Sequence, residues 1–217
     1  MWLFLILSLL ISATASIYCR STFKKYGGVS VKCGMTGAET ARQMLLANGN
    51  TDVQIAPFRV DHYDPAQNTI KLSPEVLDKS TVTAVGVAMH EAGHALQYAD
   101  SYVPVRICDL LALPSQIASY SSYLLVVLGV LFTFDPLITI GIWVFVAVVL
   151  FQLMLLPVEN NASGRALRAV KEAGILTEEE QEGMRKVLTA AAMTYVAGFV
   201  VAVLQLMRLL LLRGSRR

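Results

Sequence analysis

The chain has 217 residues, of which 55% are hydrophobic, and its mean hydropathy is +0.55. A hydropathy this high argues against an ordinary soluble domain and indicates a membrane protein whose partner is the lipid bilayer. The formal net charge is only +2 and the basic residues are scattered, so we expect no nucleic-acid partner. Three cysteines without CxxC spacing argue against a disulfide framework and a cysteine zinc cluster.

The N-terminal apolar run, from Trp2 to Tyr18, predicts a membrane helix. Small residues at positions 13–15 resemble a signal-peptide cleavage site, so a cleaved leader is one alternative. A signal peptide normally carries basic residues before its apolar core, whereas here Arg20, Lys24 and Lys25 follow the core. We therefore favour an uncleaved helix whose C-terminal end lies in the cytoplasm.

A more polar region follows, from about residue 20 to residue 106. Asp52 to Ile55 and Asn68 to Leu72 alternate in the manner of strands. We predict that the second of these is an edge strand able to bind an extended substrate. The spacing of apolar residues then predicts a long helix from about Ser80 to Tyr98.

Two further apolar stretches, at about residues 117–134 and 137–156, are each close to the roughly 20 residues needed to cross a bilayer. Only Asp135 and Pro136 separate them, so they predict a transmembrane hairpin. After a polar helical segment, a fourth apolar stretch runs to about Leu212. The sequence thus predicts about four transmembrane helices.

The run His90-Glu91-Ala92-Gly93-His94 fits the pattern H-E-x-x-H on the predicted long helix. Residues i and i+4 of a helix lie about 40° apart around its axis, so His90 and His94 can bind one zinc ion from the same face. Glu91 is placed to take a proton from a zinc-bound water. This predicts a zinc metalloprotease with one Zn²⁺ per chain. Gly93 is a poor helix former, which indicates that another element approaches closely there.

A catalytic zinc needs a third protein ligand, and His62 and Glu159 are the candidates. Two predicted spans separate Glu159 from His94, so the chain returns to the same side of the membrane, which favours Glu159. Ser163 and Arg165 are spaced to support that ligand or to contact substrate. His62 has three other interpretations: a transition-state hydrogen-bond donor, a substrate contact, or an ordinary turn histidine, which we favour.

Four blocks of sequence, in matching order over nearly the whole chain, are similar to those of a known family. They are TGAETARQMLLANG at 36–49, DHYDP at 61–65, VAMHEAGHALQ at 87–97 and LPVENNASGRA at 156–166. Together they resemble the YugP-type family, described as neutral zinc metallopeptidases of bacterial membranes. That family in turn resembles the membrane gluzincins of the HtpX and CAAX-protease kind, in which a glutamate opening a later helix completes the zinc site.

This resemblance implies that His90, His94 and Glu159 are the metal ligands and that Glu91 is the general base. The HtpX-like pattern has an aspartate four residues after the ligand glutamate. Here that position is Ser163, so the carboxylate expected at that point is absent.

The fold class that we predict is a mainly α-helical membrane protein with about four transmembrane helices and a small α+β zincin-like unit that carries H-E-x-x-H on a helix. Its predicted segments are an N-terminal transmembrane helix at 1–19, the zincin-like region at 20–110, the transmembrane hairpin at 111–157, a helical segment with the third metal ligand at 158–187, and a C-terminal apolar helix with a basic tail at 188–217.

The positive-inside rule sets the expected sidedness. With four spans, the polar segments 20–106 and 157–186 lie on one side, and both are rich in lysine and arginine. We therefore expect a multi-pass protein of the bacterial plasma membrane with its active site on the cytoplasmic face. Arg213, Arg216 and Arg217 would then lie outside, unless the fourth stretch is re-entrant or interfacial.

The predicted activity is hydrolysis of peptide bonds in membrane or membrane-proximal proteins. One alternative is a non-catalytic membrane scaffold with a structural zinc, but such a site has no need of the base Glu91. Another is a transporter, but Asp135 is the only charged residue between Ile117 and Leu156. Nothing in the sequence specifies an oligomeric state.

Overall fold

The computed structural model describes residues 2–214, so Arg216 and Arg217 of the predicted basic tail lie outside the described residues. In chain order its elements are α1 (Trp2–Gly27), α2 (Gly37–Ala47), β1 (Gln54–Pro57), β2 (His62–Asp64), β3 (Thr69–Leu72), α3 (Pro74–Leu77), α4 (Val82–Ala99), α5 (Val103–Leu131), α6 (Asp135–Ala173) and α7 (Glu178–Gly214).

Four of these helices, α1, α5, α6 and α7, are long and apolar enough to cross a membrane. A three-stranded sheet and shorter helices make up the rest of the elements. The predicted fold class, a mainly α-helical membrane protein with about four spans and a small α+β region, is therefore confirmed. The side on which each loop lies stays a prediction.

Helix α6 continues through Pro157, so Glu159 does not open a later helix as the glutamate of the gluzincin pattern does. Proline removes one backbone hydrogen bond and costs a helix about 3 kcal/mol. The residues that follow it, including Val158 and Ala162, are buried, and their packing offsets that cost. Glu159 therefore lies in the interior of a 39-residue helix.

Contacts divide the chain into two compact units. The first comprises Met1–Ser16, Arg106–Pro157 and Thr194–Arg217, and the second comprises Ile17–Val105 and Val158–Met193. The first contains an apolar cluster from α5, α6 and α7 that includes Val126, Phe145 and Leu209. Most of its other large apolar side chains are exposed, as lipid-facing residues would be.

The second unit contains the sheet, α2, α3 and α4 around a larger apolar core. The strand order is β1-β3-β2, with β1 parallel and β2 antiparallel to β3. The segment Asn68 to Leu72 was predicted to be an edge strand, but β3 is the central strand and its Ile70 and Leu72 are fully buried. The substrate-binding edge proposed for it is therefore wrong, because its backbone groups already pair on both sides.

Candidate metal centre

Helix α4 holds the H-E-x-x-H run on one face because its other face is anchored in the core. Val85, Met89 and Ala92 on this helix are at most 1% exposed. The Thr81 hydroxyl accepts a hydrogen bond from the Ala84 amide and caps the first turn. A helix fixed at its start and along one side presents its remaining face in a defined direction.

Helix α6 meets α4 at Gly93, as the glycine in the motif predicted. A Cβ atom added at Gly93 would lie 2.5 Å from the carbonyl oxygen of Ala162. Contact this close is open only to a residue without a side chain. It brings Glu159, one turn before Ala162, to the histidine face of α4.

We expect Gly93→Ala to separate α4 from α6, because its methyl group overlaps backbone that cannot move aside. Overpacking of this kind costs typically about 1–3 kcal/mol in the free energy of unfolding. The thermal unfolding midpoint and the zinc affinity of the purified chain should both fall. Gly164→Ala on α6 is the matched control, since a Cβ there meets nothing within 4 Å. Equal midpoints for the two variants would contradict the close contact.

The three candidate ligands form a small triangle of donor atoms. His90 Nε2 lies 3.2 Å from His94 Nε2 and 3.2 Å from Glu159 Oε2, and His94 Nε2 lies 3.7 Å from Glu159 Oε2. A tetrahedral zinc ion with bonds of about 2.0–2.1 Å holds its ligand atoms about 3.3 Å apart. The triangle therefore has the size and the His₂Glu donor set of one face of such a site.

Glu159 Oε2 gives a second sign that a cation belongs here. This oxygen is buried and faces the two histidine nitrogens, but neither makes a hydrogen bond of good geometry to it. A buried carboxylate oxygen without a well-formed hydrogen bond is costly. A metal ion between the three side chains would satisfy it.

The charge around His94 affects how a metal would bind. Burial lowers the pKa of His94, but the adjacent Glu159 and Glu91 carboxylates outweigh this effect and raise it to about 9. Without a metal, His94 is then protonated at neutral pH, and zinc has to displace that proton. Zinc affinity should therefore increase with pH up to about 9.

The outer nitrogen of each histidine has its own partner. His90 Nδ1 lies 3.1 Å from the Ser163 hydroxyl, and His94 Nδ1 lies 2.9 Å from Gln97 Oε1. Ser163 thus contacts a histidine rather than Glu159. Such partners orient the rings so that both Nε2 atoms face the same point.

The other two residues singled out from the sequence lie outside the triangle. His62, in the edge strand β2, places its Nδ1 2.9 Å from the Val60 carbonyl oxygen and its ring against Phe58. Arg165 donates from Nε to Asn161 Oδ1 at 2.9 Å and pairs with Asp100. The structure thus brings Glu159, and not His62, to the two motif histidines.

Sequence reasoning missed Gln97 and Asn161. Gln97 is fully buried and contacts both His94 and Asn161. Its position three residues after His94, on the same helical face, was the available signal. Asn161 carried no local signal because its partners come from another helix.

Comparison with known proteins shows the family of this chain. A family model described as "Putative neutral zinc metallopeptidase" matches residues 1–214. The chain belongs to this family. Over 205 residues it is 40% identical to the "Putative membrane protease YugP" of Bacillus subtilis (strain 168). The matched residues make up 93% of this chain and 91% of that relative. No solved structure matches the chain.

Membership of this family confirms the resemblance that the four sequence blocks indicated. The family match extends over all four apolar helices as well as over the histidine motif. The family is described as a zinc metallopeptidase and the relative as a membrane protease, and both descriptions suit a chain with apolar helices and a His₂Glu cluster.

Proposed function

We propose that this protein is a zinc metalloendopeptidase of the membrane that hydrolyses peptide bonds in membrane or membrane-proximal proteins. The observation that carries the proposal is the triangle of His90, His94 and Glu159, with the carboxylate of Glu91 next to it in sequence on α4. A His₂Glu set leaves a position open for water or substrate, which is typical of catalytic rather than structural zinc.

In this mechanism, His90, His94 and Glu159 hold the zinc ion, one per chain. Zinc, when bound, supplies Lewis-acid polarisation of the substrate carbonyl and lowers the pKa of water. Glu91 takes the proton of the attacking water and delivers it to the leaving amine as the peptide bond breaks. Glu91 is buried, with 8% of the residue exposed, so little bulk water competes for that proton.

The positive-inside rule supports a cytoplasmic site in the plasma membrane. Lys24, Lys25 and the basic residues of α6 after Glu159 belong to the same compact unit as the site. An excess of lysine and arginine in the segments next to spans favours the cytoplasmic side. We therefore propose cytoplasmic protein segments near the membrane as substrates.

The test uses the full chain purified in detergent. Elemental analysis should find about one zinc per chain, as a single four-coordinate site requires. Hydrolysis of casein or a fluorogenic peptide should stop on treatment with a zinc chelator and return on adding zinc. The His94→Ala variant, purified in parallel, controls for contaminating proteases. A zinc-free wild type, or hydrolysis equal in wild type and His94→Ala, would reject the proposal.

A further inference from the structure

We propose that Gln97 is a positioning residue that fixes which nitrogen of His94 faces the metal, and that Asn161 and Arg165 hold Gln97 in that role. The inference rests on the zinc site proposed above. Gln97 lies on α4, is 0% exposed and contacts the candidate ligand His94.

The side-chain amide of Gln97 makes three contacts, one on its oxygen and two on its nitrogen. Its Oε1 lies 2.9 Å from His94 Nδ1. Its Nε2 lies 2.8 Å from the Val158 carbonyl oxygen and 3.0 Å from Asn161 Oδ1. Each polar atom of this buried side chain therefore has a partner.

The partners dictate how the amide is oriented. The Val158 carbonyl oxygen can only accept a hydrogen bond, so the NH₂ group of Gln97 has to face it. The amide oxygen must then face His94, and the Nδ1 of His94 must carry the hydrogen. His94 Nε2 is left to face Glu159 and His90 as the ligand atom.

Arg165 enforces the same direction from the other end. A guanidinium group can only donate, so the Asn161 atom that lies 2.9 Å from Arg165 Nε must be the amide oxygen. That oxygen also accepts from Gln97. Asp100 pairs with the same guanidinium and anchors it. Hydrogen bonds thus connect Asp100 to His94 through Arg165, Asn161 and Gln97. In each of these bonds the donor and the acceptor are fixed.

A purely structural role for Gln97, as a tie between α4 and α6, predicts a different outcome. Loss of such a tie would lower the thermal unfolding midpoint and leave zinc affinity per folded chain unchanged. A positioning role predicts that zinc affinity falls as well. Zinc affinity, measured without substrate by competition with a chromophoric chelator, therefore separates the two roles.

Gln97→Leu removes the acceptor, and its zinc affinity should fall by about 10–100-fold, the usual effect of losing the partner of a ligand histidine. Gln181→Leu is the control, because Gln181 donates to the Leu176 carbonyl oxygen at 2.9 Å and contacts no histidine. Its zinc affinity should equal that of wild type.

A second pair of variants covers the case in which Gln97→Leu does not fold. Arg165→Lys keeps a charge for Asp100 but removes the Nε donor to Asn161, and we expect it to bind zinc more weakly than wild type. Arg168→Lys is the control. Arg165 and Arg168 line one cavity of about 450 Å³, and Arg168 makes no ion pair within residues 2–214. This variant should bind zinc as tightly as wild type.

Wild-type zinc affinity in Gln97→Leu would overturn the inference. Equal affinities for Arg165→Lys and Arg168→Lys would do the same. An absence of zinc in the wild type would instead reject the proposed function, so the two failures are distinguishable.

Discussion

Replacing Glu159 with glutamine should strip zinc from the purified chain and abolish peptide hydrolysis with it. The substitution keeps the size of the side chain but removes the negative charge that faces two histidine nitrogens at 3.2 and 3.7 Å. Losing the hydrogen-bond partner of a ligand histidine typically weakens zinc binding by about 10–100-fold. Loss of a direct ligand should weaken it further. Zinc content by elemental analysis and affinity by chelator competition measure the change.

Glu172→Gln provides the control for that variant. Glu172 is an exposed glutamate on the same helix, α6, outside the ligand triangle. We expect its zinc content and hydrolysis to match those of wild type. If Glu159→Gln keeps its zinc, the third ligand lies elsewhere, and His62→Ala becomes the next variant to measure.

Replacing Glu91 with glutamine should separate metal binding from catalysis. Loss of a general base typically lowers the rate by about 10²–10⁴-fold, which corresponds to about 3–5 kcal/mol of transition-state stabilisation. Zinc should stay bound, because Glu91 is not part of the ligand triangle.

The same variant distinguishes an enzyme from a non-catalytic zinc scaffold. A scaffold would keep its cellular function in Glu91→Gln, whereas a peptidase would lose kcat/KM and keep its zinc. Glu172→Gln again controls for the loss of a glutamate as such. Unchanged kcat/KM in Glu91→Gln would refute the role of Glu91 as the base.

Several features were predictable because they depend on neighbouring residues. Apolar stretches of sufficient length predicted the four long helices, and the structure contains them. The i, i+4 spacing predicted that His90 and His94 share a helical face, and their ring centroids lie 4.7 Å apart. Gly93 predicted a close neighbour, which is the backbone of α6 at Ala162.

Other features were predicted wrongly or left open because they depend on distant residues. The alternating pattern identified the strand of Ile70 but not its place, since strand order is set by pairing with segments elsewhere in the chain. A proline usually ends or kinks a helix, yet buried residues after Pro157 keep α6 continuous. Local propensity is a weak guide where tertiary packing competes with it.

By itself, the sequence determined that this is a membrane protein with a histidine motif suited to zinc, because hydropathy and helical spacing are properties of neighbouring residues. Only the tertiary structure decided that Glu159, 65 positions after His94, joins the two histidines while His62 does not. It also decided which side chains contact the two histidines. The contacts that cross from α4 to α6 exist because a glycine lets the two backbones touch.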